Sequence, residues 1–131
     1  MSHLIPFVVL QKTLNMVSAK GSTKVQLTYE EFQTLVRTTI RATPVDEEWY
    51  RKTYPDVAEA IAAGLFRSAK QHFIENGYFE GRWPFKPKVD AQWYIATYPD
   101  VAEGLARGNI LSAEEHFVHH GYAEGRLPSE D

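Results

Sequence analysis

With 131 residues, 44% of them apolar and 13% aromatic, the chain has material for one compact domain, or a small domain with an appendage, and differs from disordered chains, which are poorer in both. A net charge of −3 lacks the basic face that nucleic acid requires, and the absence of cysteine excludes disulfides and thiolate chemistry while leaving the redox compartment open. The charge is uneven. Residues 1–44 hold five Lys/Arg against two Glu, and residues 45–131 hold nine against fifteen Asp/Glu. A mildly basic amino-terminal part therefore precedes an acidic remainder, an asymmetry suited to docking the two parts or orienting a partner.

In chain order, the first apolar run is Leu4 to Leu10. It is too short to span a bilayer. It also lacks the basic flank and small-residue cleavage site of a signal peptide. The expectation is a soluble cytoplasmic protein with no membrane span. Alternation of Leu14, Met16 and Ser18, and of Val25 and Leu27, on either side of Lys20-Gly21-Ser22 favours a β-hairpin over residues 13–19 and 23–28. The rival is a helix from Pro6 to Ala19, with proline at its first position and Gly21 beyond its end. An isolated hairpin is marginal in water. Residues 1–44 are therefore expected to act as a cap on the rest, or as an oligomerisation element joining two copies of the chain. Thr28-Tyr29-Glu30-Glu31 fits a capping box. It predicts a helix from Tyr29 to about Arg41, with Phe32, Leu35, Val36 and Ile40 on its apolar face. Leu27 and Phe32 are spaced as a hydrophobic staple, and Thr43-Pro44 ends the helix.

The remainder is one unit used twice. Residues 45–84 recur at 89–128 with an offset of 44 and no gap, and 23 of the 40 positions are identical. Each copy predicts three short helices. Asp46 (Asp90) caps the first, over Glu47–Thr53 (Ala91–Thr97). Pro55 (Pro99) opens the second, with Asp56 (Asp100) in its first turn. Its apolar stripe is Val57, Ala58, Ile61 and Ala62, matched by Val101, Ala102, Leu105 and Ala106. Gly64 (Gly108) stops it in the left-handed conformation. Ser68-Ala69-Lys70-Gln71 and Ser112-Ala113-Glu114-Glu115 read as capping boxes for the third helix. Gly77 (Gly121) is expected to close that helix with a left-handed cap. A Glu-Gly-Arg turn follows, and Pro84 with Pro87 connects the copies. The expected fold is thus mainly α: a small hairpin-plus-helix element at 1–44, then helical repeats at 45–88 and 89–131 stacked like a short solenoid.

Several residues bear chemistry. Trp49, Tyr50, Tyr54 and Tyr78, with Trp93, Tyr94, Tyr98 and Tyr122, supply aromatic faces on which sugars stack, but also the rings that fill a core of short helices. Asp56 with Arg82, and Asp100 with Arg126, pair either to cradle a ligand or to fix the last turn of each copy onto its second helix. The ligand-binding candidates are therefore Trp49, Tyr50, Asp56, Arg82, Trp93, Tyr94, Asp100 and Arg126. His72 and His116 suit packed histidines better than acid–base groups. His116, His119 and His120 have the i, i+3, i+4 spacing of a shared metal site, but only the second copy has all three. The expectation is adventitious binding and no resident metal. There is no nucleophile elbow, no His-Glu-x-x-His and no phosphate loop, so neither a catalytic residue nor a cofactor is expected.

The pattern Asp-x-x-Trp-Tyr-x-x-x-Tyr-Pro-Asp-Val-Ala, then Ser-Ala-x-x-His-Phe-x-x-x-Gly, then Glu-Gly-Arg-x-Pro, over residues 45–128, resembles a short module of bacterial proteins. That module accompanies glycosyltransferases, rhamnan-type polysaccharide-synthesis proteins and large calcium-binding repeat proteins of the cell surface. The resemblance implies an accessory unit in a surface-polysaccharide or envelope setting. Calcium itself is not expected, because no Asp-x-Asp-x-Asp loop is present. The expected function is a non-enzymatic helical-repeat adaptor with a protein partner. The alternative is a carbohydrate-binding module using the paired Trp/Tyr sites. Individual function is expected to lie where the copies differ, at Arg51/Ile95, Phe79/Ala123, Trp83/Leu127 and His119-His120, or in the unmatched first 44 residues.

Overall fold

A computed structural model of the protein describes residues 7–13 and 24–131. The chain divides into two compact units, Met1–Pro44 and Val45–Asp131. Among the described residues the regular structure is helical, and no strand occurs.

In the first unit, helix α1 covers Phe7–Thr13 and helix α2 covers Tyr29–Ile40, and the two pack on each other. This corrects the hairpin. Thr13 ends a helix, and residues 24–28 have no regular structure. Residues 14–23, the rest of the expected hairpin, lie outside the described residues. Short alternating runs are ambiguous between the two periods, and Pro6 just before an apolar run favours a helical first turn. Helix α2 starts as its capping box dictates. The Glu31 amide donates to the Thr28 hydroxyl (3.1 Å), and the Thr28 amide donates to Glu31 Oε1 (3.0 Å). Its apolar face is only partly covered. Leu35, Val36 and Ile40 are half-buried and Phe32 is exposed, while Thr38 is buried. The Thr38 hydroxyl donates to the Thr34 carbonyl (2.9 Å), which is what permits a hydroxyl there.

The second unit holds helices α3 (Glu47–Thr53), α4 (Pro55–Ala62) and α5 (Ala69–His72), then α6 (Ala91–Thr97), α7 (Pro99–Ala106) and α8 (Ala113–His116). Asp46 and Asp90 cap α3 and α6 by accepting from the amides of Trp49 and Trp93. Pro55 and Pro99 open α4 and α7. The closing carbonyl of each copy bonds the amide of its opening aspartate: Asp46 N–H donates to the Pro84 carbonyl (3.1 Å) and Asp90 N–H to that of Pro128 (3.0 Å). Tyr50, Val57, Ala69 and Phe73 are buried in one copy, and Tyr94, Val101, Ala113 and Phe117 in the other. Ala62 and Ala106, expected on the buried stripe, are exposed at the ends of their helices.

The third helix departs from expectation. After one α turn it widens to π geometry over Phe73–Gly77 and Phe117–Gly121, and the amides of Tyr78 and Tyr122 donate to the carbonyls of Phe73 and Phe117. The serine half of each capping box forms, with Ser68 and Ser112 accepting from the amides of Gln71 and Glu115. The Gln71 carboxamide instead accepts from the Arg67 amide. Nor are Gly77 and Gly121 left-handed. Among the described glycines positive φ occurs at Gly64 and Gly108, as expected, and at Gly81 and Gly125 in the Glu-Gly-Arg turns. Gly77 and Gly121 are required by close approach. A Cβ at either would overlap the hydroxyl of Tyr50 or Tyr94.

Candidate functional site

Two arrangements occur in both copies. In the first, the wholly buried Tyr50 bonds His72 Nδ1 (2.9 Å), and Tyr94 bonds His116 Nδ1 (2.8 Å). With the tyrosine donating, the imidazole proton sits on Nε2, which in the first copy faces Glu80 Oε1 at 3.7 Å. Burial, then the nearby Arg82, lowers the His72 pKa, and burial and Arg126 do the same for His116. Burial raises Tyr50 and pushes Tyr94 up to about 12. Both partners are thus held neutral, as a buried hydrogen bond requires. Tyr50 and Tyr94, expected as ligand contacts, are 0% exposed and cannot reach a ligand.

In the second arrangement, Arg82 grips Asp56 bidentately at 2.9 and 2.6 Å, and Arg126 grips Asp100 at 2.9 and 2.8 Å. Each guanidinium also lies over a tyrosine ring, Tyr54 or Tyr98, 4.8 Å from its centroid. The same tyrosines accept from the amides of Trp83 and Leu127 (2.9 Å each). The ion pair and hydrogen bond lower both aspartate pKa values and raise those of the arginines. These four candidates therefore hold each copy's closing turn to its second helix, and their donors are spent within the fold.

Trp49 and Trp93 are half-buried, with edge-on contacts to Tyr54 and Tyr98. Trp49 and Thr53 from α3 face Ser112, Glu114, Glu115, Val118 and His119 of the second copy across a cleft of about 150 Å³. Around the cleft the copies meet through aromatic rings. Tyr54 meets His119 edge-on, with centroids 6.1 Å apart, and Trp83 lies against Phe117 (5.2 Å) and Tyr122 (4.8 Å). Gly81 abuts Ala123. His119 therefore faces the junction, and His116 is committed to Tyr94. The His116 and His120 rings are 5.6 Å apart, and among the described residues no group of three His, Asp or Glu side chains is placed to hold a metal.

Sequence reasoning missed three participants. Glu47 reaches across 22 residues to accept from the amides of Ala69 (2.8 Å) and Lys70 (3.0 Å), while also pairing with Arg51. Its counterpart is Ala91, which has no carboxylate for α8. Glu114 and Glu115 line the cleft where the first copy has Lys70 and Gln71. The mismatch between the copies was the available signal at each position. No family model, curated protein or solved structure matches the chain.

Proposed function

We propose that the protein is a non-enzymatic adaptor built on two tandem helical repeats, which binds a protein partner at the junction between the copies. The observation that carries this reading is where the functional side chains are spent. The residues shared by both copies bond each other inside the fold, whereas the unshared Glu114, Glu115 and His119 line an open cleft opposite half-buried Trp49. An aromatic face flanked by carboxylates suits a lysine or arginine side chain, so the partner contributes a basic segment. The resemblance of residues 45–128 to the bacterial polysaccharide-associated module supports placing that partner in polysaccharide-synthesis or envelope machinery. Residues 1–44 serve this reading as a cap or self-association element.

The test is a pull-down with the intact chain beside a Glu114→Lys/Glu115→Lys variant. A partner retained by the parent and lost by the variant is the expected result. The same partner retained by both refutes the junction as the binding surface. The carbohydrate-binding alternative rests on the same half-buried tryptophan. It expects tryptophan fluorescence to change on titration with oligosaccharides, and a flat response across a glycan panel removes it.

A further inference from the structure

Asn76 and Gly77 form the residue pair least protected against one spontaneous reaction of proteins, the attack of a backbone amide nitrogen on the carboxamide that precedes it. Glycine has no side chain to hinder the approach. The pair lies in the first copy alone, because His120 and Gly121 stand at the equivalent places. Asn76 is exposed, so water reaches its carboxamide, while Gly77 is buried. Asn109 is also exposed, but Ile110 follows it, and a β-branched neighbour crowds the same attack.

The pair also sits where local preference and fold disagree. Asn-Gly favours a tight turn, and neither residue is a good helix former, yet both fall within the π segment Phe73–Gly77. Packing holds them there. The Asn76 carbonyl accepts from the Glu80 amide (3.0 Å), and the Gly77 carbonyl accepts from the amides of Glu80 (3.1 Å) and Arg82 (2.9 Å). The Tyr50 hydroxyl occupies the place a Cβ of residue 77 would take. Attack on the carboxamide needs the Asn76 backbone turned out of the helical range, so the peptide between the two residues must first leave this network. Local openings of that kind cost less than global unfolding.

We infer that Asn76 is a site of spontaneous deamidation whose rate is set by opening of the π segment. In the open segment the Gly77 amide nitrogen gives up its proton and bonds to Asn76 Cγ. The Cγ–Nδ2 bond breaks, and ammonia leaves with that proton. Water then opens the cyclic imide. Cleavage at Cγ leaves aspartate in an ordinary chain. Cleavage at the backbone carbonyl leaves isoaspartate, whose chain runs through the former side chain and is one methylene longer. Water is consumed and ammonia released, with no change of oxidation state. Both products place a new carboxylate next to Glu75 in the sequence. Isoaspartate also displaces Gly77, which Tyr50 leaves no room to move. The isoaspartyl chain therefore loses stability in its first copy, and the second copy, with His120, does not age in this way.

The test incubates the full chain in mildly alkaline buffer and follows conversion of amide to acid by peptide mapping and mass spectrometry. Urea-unfolded parent should convert fastest at Asn76, folded parent slowest, and folded Tyr50→Phe between them. That variant lacks the hydroxyl that bonds His72. Losing ~1 kcal/mol from the closed segment raises the open population, and the rate with it, about fivefold. Asn109 should stay an amide in the folded chain. Incubated parent should melt below fresh parent, and Asn76→His, which copies the second repeat, should keep its melting temperature. Circular dichroism establishes that Tyr50→Phe is folded. If it is not, the parent in urea below its unfolding transition replaces it, and its rate should rise as stability falls. A folded parent that converts as fast as the unfolded chain overturns the inference. So does a rate that neither Tyr50→Phe nor urea changes. So does a folded parent whose Asn76 stays intact as long as Asn109.

Discussion

Replacing Gly77 with alanine tests one of the closest approaches in the second unit. The new methyl would overlap the Tyr50 hydroxyl, while its next neighbours, His72 Nδ1 and a Phe73 ring carbon, lie at 3.4 and 3.5 Å. The tyrosine cannot yield cheaply. Its ring is 0% exposed and packs against Tyr54 and Phe73, with centroids 4.9 and 6.2 Å away, and its hydroxyl holds His72. Two costs follow: strain of about 1–3 kcal/mol from overpacking, and about 1–3 kcal/mol if the hydrogen bond breaks and leaves the imidazole nitrogen buried without its donor. Against them stands a gain of at most about 1 kcal/mol from replacing glycine within a helical segment. With both costs incurred the expected net loss is about 1–6 kcal/mol. Tyr50→Phe alone should cost about 1–3 kcal/mol, for the hydrogen bond. The double variant separates close approach from any other role of the glycine. Without the hydroxyl oxygen, the methyl takes the vacated space and its nearest remaining neighbour is at an ordinary distance. Tyr50→Phe/Gly77→Ala should therefore be more stable than the sum of the single losses implies, by at least about 1 kcal/mol, within the range of coupling between touching residues. Urea unfolding of parent, singles and double, followed by circular dichroism, measures all four corners. Additive losses, or a Gly77→Ala variant as stable as the parent, would refute the reasoning.

Other outcomes follow from the same contacts. Ala91→Glu combined with Glu114→Lys gives α8 the carboxylate that Glu47 supplies to α5, beside the lysine found there. It should raise stability by about 1 kcal/mol, read as a higher urea midpoint at unchanged m-value. His72 and His116 have pKa values below the ordinary 6.5, so the folded state binds fewer protons than the unfolded chain near that pH. Their contribution is fully present above pH 6.5 and is lost as the pH falls through the folded values. The midpoint of thermal unfolding should therefore drop between pH 7.5 and 5.5, and a flat profile counts against buried neutral imidazoles. Asp56→Asn should cost no more than about 1 kcal/mol, because the aspartate side chain is 63% exposed, and thermal melts will show whether the loss exceeds that.

Local signals carried as far as local physics reaches. Asp46, Ser68 and Thr28 start helices because a side-chain oxygen meets an amide two or three residues on. Pro55 starts one because its ring fixes φ, and Gly64 stops one because it alone tolerates φ near +80°. None of these needs the rest of the fold. Gly77 was legible as a glycine of consequence but not for the right reason. The reason is an oxygen on Tyr50, brought there by packing between helices, and no local rule separates that from a left-handed cap. The Glu47 cap and the Tyr50–His72 bond are hidden likewise, since each joins positions 22 residues apart. The widening to π geometry follows no residue pattern in Phe73–Gly77. At the amino terminus alternation and helical spacing coexist over a few residues; Thr13 ends helix α1 and residues 24–28 form no strand, while the rest of the expected hairpin lies outside the described residues.

The copies differ at exposed positions such as Lys52/Ala96, Ala63/Arg107 and Arg67/Leu111, and also where they meet other structure. Glu47/Ala91, Lys70/Glu114, Gln71/Glu115, Glu75/His119 and Trp83/Leu127 lie at a helix cap between α3 and α5 or along the faces that repeats turn toward one another. The shared Tyr50, Asp56, His72, Gly77 and Arg82 each have an internal partner whose loss would cost stability within a single copy. The divergence at Lys70/Glu114 and Gln71/Glu115 leaves those internal partners untouched and gives the cleft beside Trp49 its carboxylates, so substitutions that cost the fold little supply the acidic site for a basic partner.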